Sequence, residues 1–378
     1  MSILQRLSHD ERGITLIGAG FGLLAFMSAT MLAVDVGMIM VARTQAQSAS
    51  DAGALAGAVA LAFDDFEDRS AGGPAVQSAI AAATASANEV MGESASVTAP
   101  DVTFPAVDRV RVRVQRTGGR SNPLLPFIAP MFGIDTIDLG ADATAQAAPA
   151  NAMTCVKPFT VPDKWVEQQT PPWDPDDTFD AFDKKGQPLA NPDIYISPGQ
   201  SGYTGYNAET DRGTQLILKA GTGFNITPSF YNPLALPDSG GGSDYSWNIA
   251  NCNTSVMGFG DLLISEPGNM TGPTAQGVRD LIDRDAGAYW DAGTNRVVSD
   301  MSPSPRVAII PVYDPVYYDN GKQNGRNADL KAANYIGFFI EGMQGNNVMG
   351  RITPVGGLMQ GNGPAPAGAF PKAIILVE

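Results

Sequence analysis

From Ile14 to Val34 the chain runs through 21 residues without a charge. At about 1.5 Å of helical rise per residue the run is roughly 31 Å long, which matches the hydrocarbon core of a bilayer. A core helix of a soluble domain rarely stays apolar all the way round over such a length. Residues 14–41 are therefore read as a transmembrane helix behind a tail of residues 1–13. The apolar region of a cleaved signal peptide is shorter and ends in a small-x-small site. Here Met31-Leu32-Ala33 puts a methionine where a small residue is needed, so the span is expected to be retained as an anchor. Gly18, Gly22, Ala25, Ala29, Ala33 and Gly37 recur at three- and four-residue steps. On a helix they share a face on which another membrane helix could approach closely.

The helical pattern continues past Arg43. Ala52, Leu55, Val59, Ala62 and Phe66 recur with the period of an apolar stripe, and Asp64, Asp65, Glu67, Asp68 and Gly72-Gly73-Pro74 end it. A second, alanine-rich helix is predicted over Ala75–Met91. Val110, Val112 and Val114 then alternate with Arg109, Arg111, Arg113 and Gln115, the period of a half-buried strand, and Asp135–Gln146 alternates as well. The composition changes near Asn151. Beyond it the predicted strands are Thr214–Lys219, Tyr245–Ile249, Arg306–Tyr313, Asn334–Ile340 and Ala373–Val377. One helix is predicted over Pro273–Ala286, with Val278, Leu281 and Ile282 inward and Asp280/Arg284 paired. Pro171–Gly213 and Asp238-Ser239-Gly240-Gly241-Gly242 read as loops.

Three stretches carry a family resemblance: Arg12-Gly13-Ile14 before the span, Ala33-Val34-Asp35-Val36-Gly37 at its end, and Gln47 to Ala58 (Q-S-A-S-D-A-G-A-L-A-G-A). Together they resemble the N-terminal region of Tad (Flp) pilus-assembly proteins of the TadG type. The closing strand with Ala141, Ala143, Ala145 and Ala147 resembles the end of that region. The resemblance covers residues 10–65 closely and 66–150 loosely. It implies a single-span inner-membrane component that helps to build an adhesive pilus. Pilins of that system carry a glutamate five residues after the processing glycine, whereas here Gly13 is followed at that offset by Gly18. The departure argues for a permanent anchor.

Composition narrows the reading further. With 24 basic and 39 acidic residues the net charge is -15, which argues against nucleic acid as a partner. Arg6 and Arg12 precede the span and Arg43 follows it. That bias favours a cytoplasmic N-terminus and an extracytoplasmic body in the bacterial inner membrane. In an oxidising compartment the two cysteines, Cys155 and Cys252, most simply form one disulfide, and two buried free thiols are the alternative. A bridge closing a loop of that length would contribute about 4–5 kcal/mol in the entropic account.

Little in the sequence points to catalysis. The one histidine, His9, lies on the other side of the span from the body, which removes Ser-His-Asp, Cys-His and histidine-metal mechanisms there. Asp238-Ser239-Gly240 lacks the strand and the second triplet of an aspartic protease. Asp300-Met301-Ser302-Pro303-Ser304 has the letters of a von Willebrand A metal motif, but prolines and a strand follow where a helix is needed. Asp174, Asp176, Asp177, Asp180 and Asp183, before Lys184-Lys185-Gly186, offer oxygens at short spacing for Ca²⁺ without the glycine and closing glutamate of an EF-hand. Ser265–Thr274 reads as a contact loop or simply as the lead into a helix.

The expected fold is α+β. A transmembrane helix (14–41) continues into a small pilin-like α+β domain (42–150), followed by a mostly-β domain with long loops (151–378). No catalytic, cofactor or metal residues are assigned. The expected function is non-enzymatic work in pilus assembly, with the inner membrane and pilus-assembly proteins as partners and homo-oligomerisation left open. The alternative is a surface-displayed adhesin or minor pilin-like subunit, with calcium bound by the acidic cluster.

Overall fold

A computed structural model describes residues 12–63, 68–183, 185–221, 225–301, 303–323, 329–361 and 365–377. His9, Asp64, Asp65, Phe66, Glu67, Lys184 and Ser302 lie outside them. The protein is α+β and divides into two compact units. The first contains helix α1 (Arg12–Phe63) as far as Leu61, residues 68–146 and Ile375–Val377.

Helix α2 (Pro74–Ala83) is shorter than the predicted Ala75–Met91. Thr84 Oγ1 donates to Ile80 O and Asn88 Nδ2 to Ala82 O, so side chains close the last turn and take over carbonyls that another turn would have used. Strands β1 (Val102–Ala106), β2 (Arg109–Arg116) and β3 (Leu139–Pro149) form an antiparallel sheet. Val110, Val112 and Val114 are fully buried on one face of β2, as their alternation predicts.

The buried side of α1 follows the predicted stripe only in part: Ala62 is buried, Ala52 is half-buried and Phe66 lies outside the described residues. Val59 is 45% exposed and Leu55 half-buried, while Ala46, Ala49, Gly53, Ala54, Gly57 and Ala58 face inward. The reason is distance. A Cβ at Gly57 would stand 2.8 Å from Val110 Cγ1 and 3.2 Å from Ala75 O. One at Gly53 would stand 3.0 Å from both Ala79 O and Ala83 Cβ. α2 and the β2 valines lie so close to α1 that only small residues fit between them.

The second unit holds Ala147–Ile374 and is built on one closed sheet. After the short β4 (Ala152–Met153) come β5 (Phe159–Pro162), β6 (Gln215–Ala220) and β7 (Phe230–Ala235). Helix α3 (Gly241–Ala250) is followed by β8 (Met257–Gly258), β9 (Leu262–Ser265) and helix α4 (Thr271–Asp283). The hairpin β10 (Tyr289–Asp291) and β11 (Arg296–Val298) precedes β12 (Val307–Tyr313), helix α5 (Pro315–Gln323), β13 (Leu330–Gln344), β14 (Asn347–Thr353) and β15 (Lys372–Val377).

The strand order β12-β5-β7-β6-β14-β13 closes through pairing of β13 with β12, and β9 bridges β13 and β7. Leu216, Leu218, Ile310, Val312, Ile336, Phe338 and Ile352 fill one core cluster with Tyr245 and Ile249 of α3 and Val278 and Leu281 of α4. Closure leaves few free strand edges for stray pairing.

Two expectations for this unit are corrected. Tyr245–Ile249 is helical, because Tyr245 and Ile249 stand one turn apart and both bury toward the same core while Trp247 is exposed. Arg284 donates to Asn251 Oδ1 at 2.6 Å instead of pairing with Asp280. The last strand also departs from the expected boundary. From Ile375 it belongs to the first unit, where β15 takes the edge beside β3.

Among the buried carboxylates of the second unit, Asp163 accepts four hydrogen bonds. Asp163 Oδ2 accepts from Tyr203 Oη (2.8 Å) and Tyr195 Oη (3.0 Å), and Oδ1 accepts from the N–H groups of Lys164 (2.9 Å) and Tyr206 (3.0 Å). Burial still pushes its carboxyl up to about 6 from 3.8, and the four hydrogen bonds pull the other way without cancelling the effect.

Two outcomes are expected. Gly57→Val should speed hydrogen exchange of the α2 amides by roughly 10- to 100-fold, the effect of about 1–3 kcal/mol of overpacking. Gly72→Ala, where a Cβ meets nothing within 4 Å, should leave them unchanged. The second outcome concerns pH. Because the folded Asp163 binds its proton more tightly than the unfolded one, its contribution to stability grows as pH falls through about 6 and is lost as pH rises. From about pH 7 to about pH 4, wild type should therefore gain up to about 3 kcal/mol relative to Asp163→Asn in urea unfolding. All four tryptophans (Trp165, Trp173, Trp247 and Trp290) lie in the second unit, so their fluorescence reports it selectively.

Candidate functional site

The site lies in the first unit and begins with the apolar half of α1. Leu16, Phe21, Leu23 and Phe26 are each more than 60% exposed, and this helix is long and apolar enough to cross a membrane. Its hydroxyls do not break the pattern. Ser28 Oγ donates to Leu24 O (2.8 Å) and Thr30 Oγ1 to Phe26 O (2.9 Å), so both are satisfied within the helix. Gly18, Gly22, Ala25, Ala29 and Ala33 lie on the exposed surface and Gly37 is half-buried. A Cβ built at Gly18, Gly22 or Gly37 would meet nothing within 4 Å. The small-residue face is thus open.

Asp35, the first charge after the run, is 4% exposed. Its Oδ1 accepts from the N–H groups of Phe127 (3.0 Å) and Ile128 (3.2 Å), and its Oδ2 accepts from Ile128 (3.2 Å) and Ala129 (2.7 Å). These are the N–H groups leading into a 3-10 turn over Ala129–Phe132, which ends at Gly133 with φ 84°. A carboxylate at such a start satisfies donors that have no partner in the turn itself. The loop is held at its base too. Buried Arg116 donates to Asn122 Oδ1 (3.1 Å) and Pro123 O (3.2 Å), and Leu124 and Ile137 exchange backbone hydrogen bonds of 2.9 Å each. Sequence reasoning passed over this loop. The available signal was the uncharged run Ser121–Ile134, rich in proline and large apolar residues.

Past Asp35 the helix becomes the spine of the unit. Gln45 Oε1 accepts from Met91 N–H (2.8 Å), and Gln47 Nε2 donates to Asp51 Oδ1 (2.8 Å) and Asp142 O (3.4 Å). Asp142 pairs with Arg111. Gln47, Asp51, Arg109, Arg111, Asp142 and Thr144 line an open polar groove on this face.

In the second unit a disulfide joins Cys155 and Cys252. Beside it Lys157 Nζ donates to the carbonyls of Asn251 (2.6 Å) and Asn248 (3.3 Å) at the end of α3. Burial, aided by Arg284, lowers this lysine to about 8. Glu266 Oε1 accepts from Gly241 N–H (3.0 Å) at the start of the same helix. Ser239 Oγ, in the Asp-Ser-Gly triplet, donates to Leu236 O (2.9 Å) and accepts from Asn248 Nδ2 (3.0 Å).

In the acidic loop the carboxylates of Asp174, Asp177 and Asp183 close turns, and Asp176 stands 3.8 Å from Lys219 Nζ. Asp177 accepts from Asp174 N–H (2.6 Å), Asp174 from Asp176 N–H (2.7 Å), and Asp183 from the N–H groups of Lys185 (2.8 Å) and Gln187 (2.9 Å). Among the described residues no three His, Cys, Asp or Glu side chains stand where they could hold one metal ion.

Residues 13–60 match the family model described as putative Flp pilus-assembly TadE/G-like. The matched stretch lies wholly within α1 and contains the stretches that carry the sequence resemblance, except for Arg12, which immediately precedes it. No curated protein and no solved structure was found to match the chain.

Asp35→Ala should release the loop. Removing a buried acceptor strands three N–H groups, and hydrogen bonds to a charged group contribute roughly 1.5–3 kcal/mol each. Amide exchange at Phe127, Ile128 and Ala129 should speed by at least about 10-fold, while that of Val110, Val112 and Val114 in β2 changes little. Unchanged protection at 127–129 would show that the loop holds without the carboxylate.

Proposed function

We propose that the chain is a non-enzymatic, single-span component of a Flp (Tad)-type pilus-assembly apparatus, anchored in the inner membrane by α1 with both units on the extracytoplasmic side. The observation that carries this reading is the family match over residues 13–60, which coincides with a helix that is exposed and apolar at one end and packed by small residues at the other. The orientation rests on Arg6 and Arg12 ahead of the span against Arg43 behind it, and on a disulfide suited to an oxidising compartment.

The work of such a component is binding. Within the bilayer apolar surface gives no drive to associate, so helices meet where small residues let their backbones come close. The open face of Gly18, Gly22, Ala25, Ala29, Ala33 and Gly37 suits a neighbouring membrane helix of the apparatus or of a second copy. Several polar groups that sequence reasoning could offer to catalysis in the second unit are committed to structure: Asp163 is held by two tyrosine hydroxyls and two N–H groups, and Lys157 and Glu266 cap α3, which supports a binding or structural role.

The test uses the full chain expressed in its own cells. The protein should resist alkaline extraction from membranes and crosslink to pilus-assembly components. Leucine at both Ala29 and Ala33 keeps the span apolar and should preserve membrane level while reducing crosslinking several-fold. Leucine at Ala19 and Ser28, away from the centre of the stripe, should leave crosslinking intact. Equal behaviour of the two variants would move the partner contacts out of the membrane, and release by alkaline extraction would remove the anchor altogether.

A further inference from the structure

We propose that the loop Leu124–Ile134 is a second membrane contact, its side chains seated in the interfacial layer of the bilayer that α1 crosses. This rests on the reading of α1 as a membrane span and adds to it a surface that the span does not imply.

Position is the first argument. Asp35 immediately follows the uncharged run, so within the 14–41 span it marks where the hydrocarbon layer gives way to the interfacial layer. Its carboxylate is hydrogen-bonded to the backbone of Phe127, Ile128 and Ala129. Those bonds fix the loop at the level where α1 leaves the bilayer.

Chemistry is the second. Between Arg120 and Asp135 there is no charge. Leu124, Pro126 and Ala129 turn inward, while Leu125, Phe127, Met131, Phe132 and Ile134 are 67%, 81%, 70%, 50% and 48% exposed. An apolar cluster of this kind on one short loop marks a contact surface. Aromatic and large aliphatic side chains at this depth are what an interfacial segment uses.

The third argument is the backbone, because a peptide group entering a membrane must bring its hydrogen bonds with it. The N–H groups of residues 127–129 are taken by Asp35. Those of Met131, Gly133 and Ile134 go to the carbonyls of Ile128 (3.0 Å), Pro130 (3.1 Å) and Ala129 (3.2 Å). Pro126 and Pro130 have none to satisfy. The apolar side chains can therefore enter lipid without stranding these donors. Continuity with the span favours lipid as the occupant over a second copy or another protein.

The experiment uses the full chain reconstituted in phosphatidylcholine/phosphatidylglycerol vesicles. Single cysteines replace Phe127, Met131, Leu24 or Val107 and carry an environment-sensitive fluorophore, while the native pair stays oxidised. Val107 is the aqueous control, since its carbonyl accepts from Arg69, beyond the far end of α1. Lipids bear a spin label either high on the acyl chain or near its methyl end.

Probes at Phe127 and Met131 should be quenched several-fold more by the shallow label than by the deep one. Leu24, midway along the run, should favour the deep label, and Val107 neither. If Leu24 is quenched while Phe127 and Met131 behave like Val107, the loop proposal falls and the span stands. If Leu24 is not quenched either, the span reading itself falls. Quenching at Phe127 that appears only when vesicles hold one chain each would assign the loop to a second copy and also overturn the proposal.

A photoactivatable lipid crosslinked to the unsubstituted chain guards against misfolded variants. Adducts should map to 14–34 and 124–134 and not to 102–109. Adducts on the span with none on the loop would overturn the proposal.

Discussion

One unbroken helix must satisfy two environments, and the position where the first gives way to the second organises the first unit. In a bilayer a helix is tolerated because its N–H and C=O groups bond internally, so its side chains can be apolar on every side. The exposed half of α1 meets that condition. At Asp35 a carboxylate enters, and an ionised group at such a boundary is costly unless donors surround it. Three backbone N–H groups of the loop supply them. The same bonds satisfy N–H groups at the start of a 3-10 turn, so two desolvation problems have one solution. Only past this point does α1 acquire a buried side, beginning with Ala42 and Ala46.

Small residues serve opposite ends on the two halves of that helix. At Gly18 and Gly22 the space beyond Cα is empty, whereas at Gly53 and Gly57 it is filled by α2 and β2. In water, glycine inside a helix costs roughly 1 kcal/mol relative to alanine, so its presence needs a compensating gain. At Gly53 and Gly57 the gain is direct contact with α2 backbone and β2 valines. At Gly18 and Gly22 nothing among the described residues fills the space, so the helix surface there is left open to a neighbouring helix.

Much of the first unit was legible in the sequence because its signals are local. A long uncharged run, an alternating Val/Arg strand and a helix with a defined start each show within a dozen or so residues. The buried stripe was only partly read, because a three- and four-residue spacing fits more than one side of an alanine-rich helix and the positions chosen included Leu55 and Val59. At Ala49, Gly53 and Gly57 the close approach of α2 decides the side, and proximity of this kind is a property of the fold. The loop at 124–134 was missed because it follows neither helical nor strand period, and its anchor Asp35 lies 92 residues away from Phe127.

The second unit was less legible still. Its closed sheet joins β5 to β12 and β6 to β7 in parallel, pairings that no hairpin signal announces. Tyr245–Ile249 looked like a strand from its aromatic and β-branched ends, but a pair one turn apart serves a helix as well.

The family match runs along the helix that meets these constraints. It ends at residue 60, one residue before the last position of α1 that belongs to the first unit. Along it the apolar run is suited to lipid, Asp35 is held by the 127–129 N–H groups, and the inward positions of the later half are packed closely on α2 and β2. The polar face of the same helix is freer, yet Gln45 and Gln47 are tied to Met91 and Asp142 by hydrogen bonds that other polar residues could not all reproduce. Beyond α1 the sheet of the first unit needs only alternation, which many sequences satisfy. The second unit lies outside the match and carries its own core, so its surface can vary without disturbing the packing of α1 on α2 and β2.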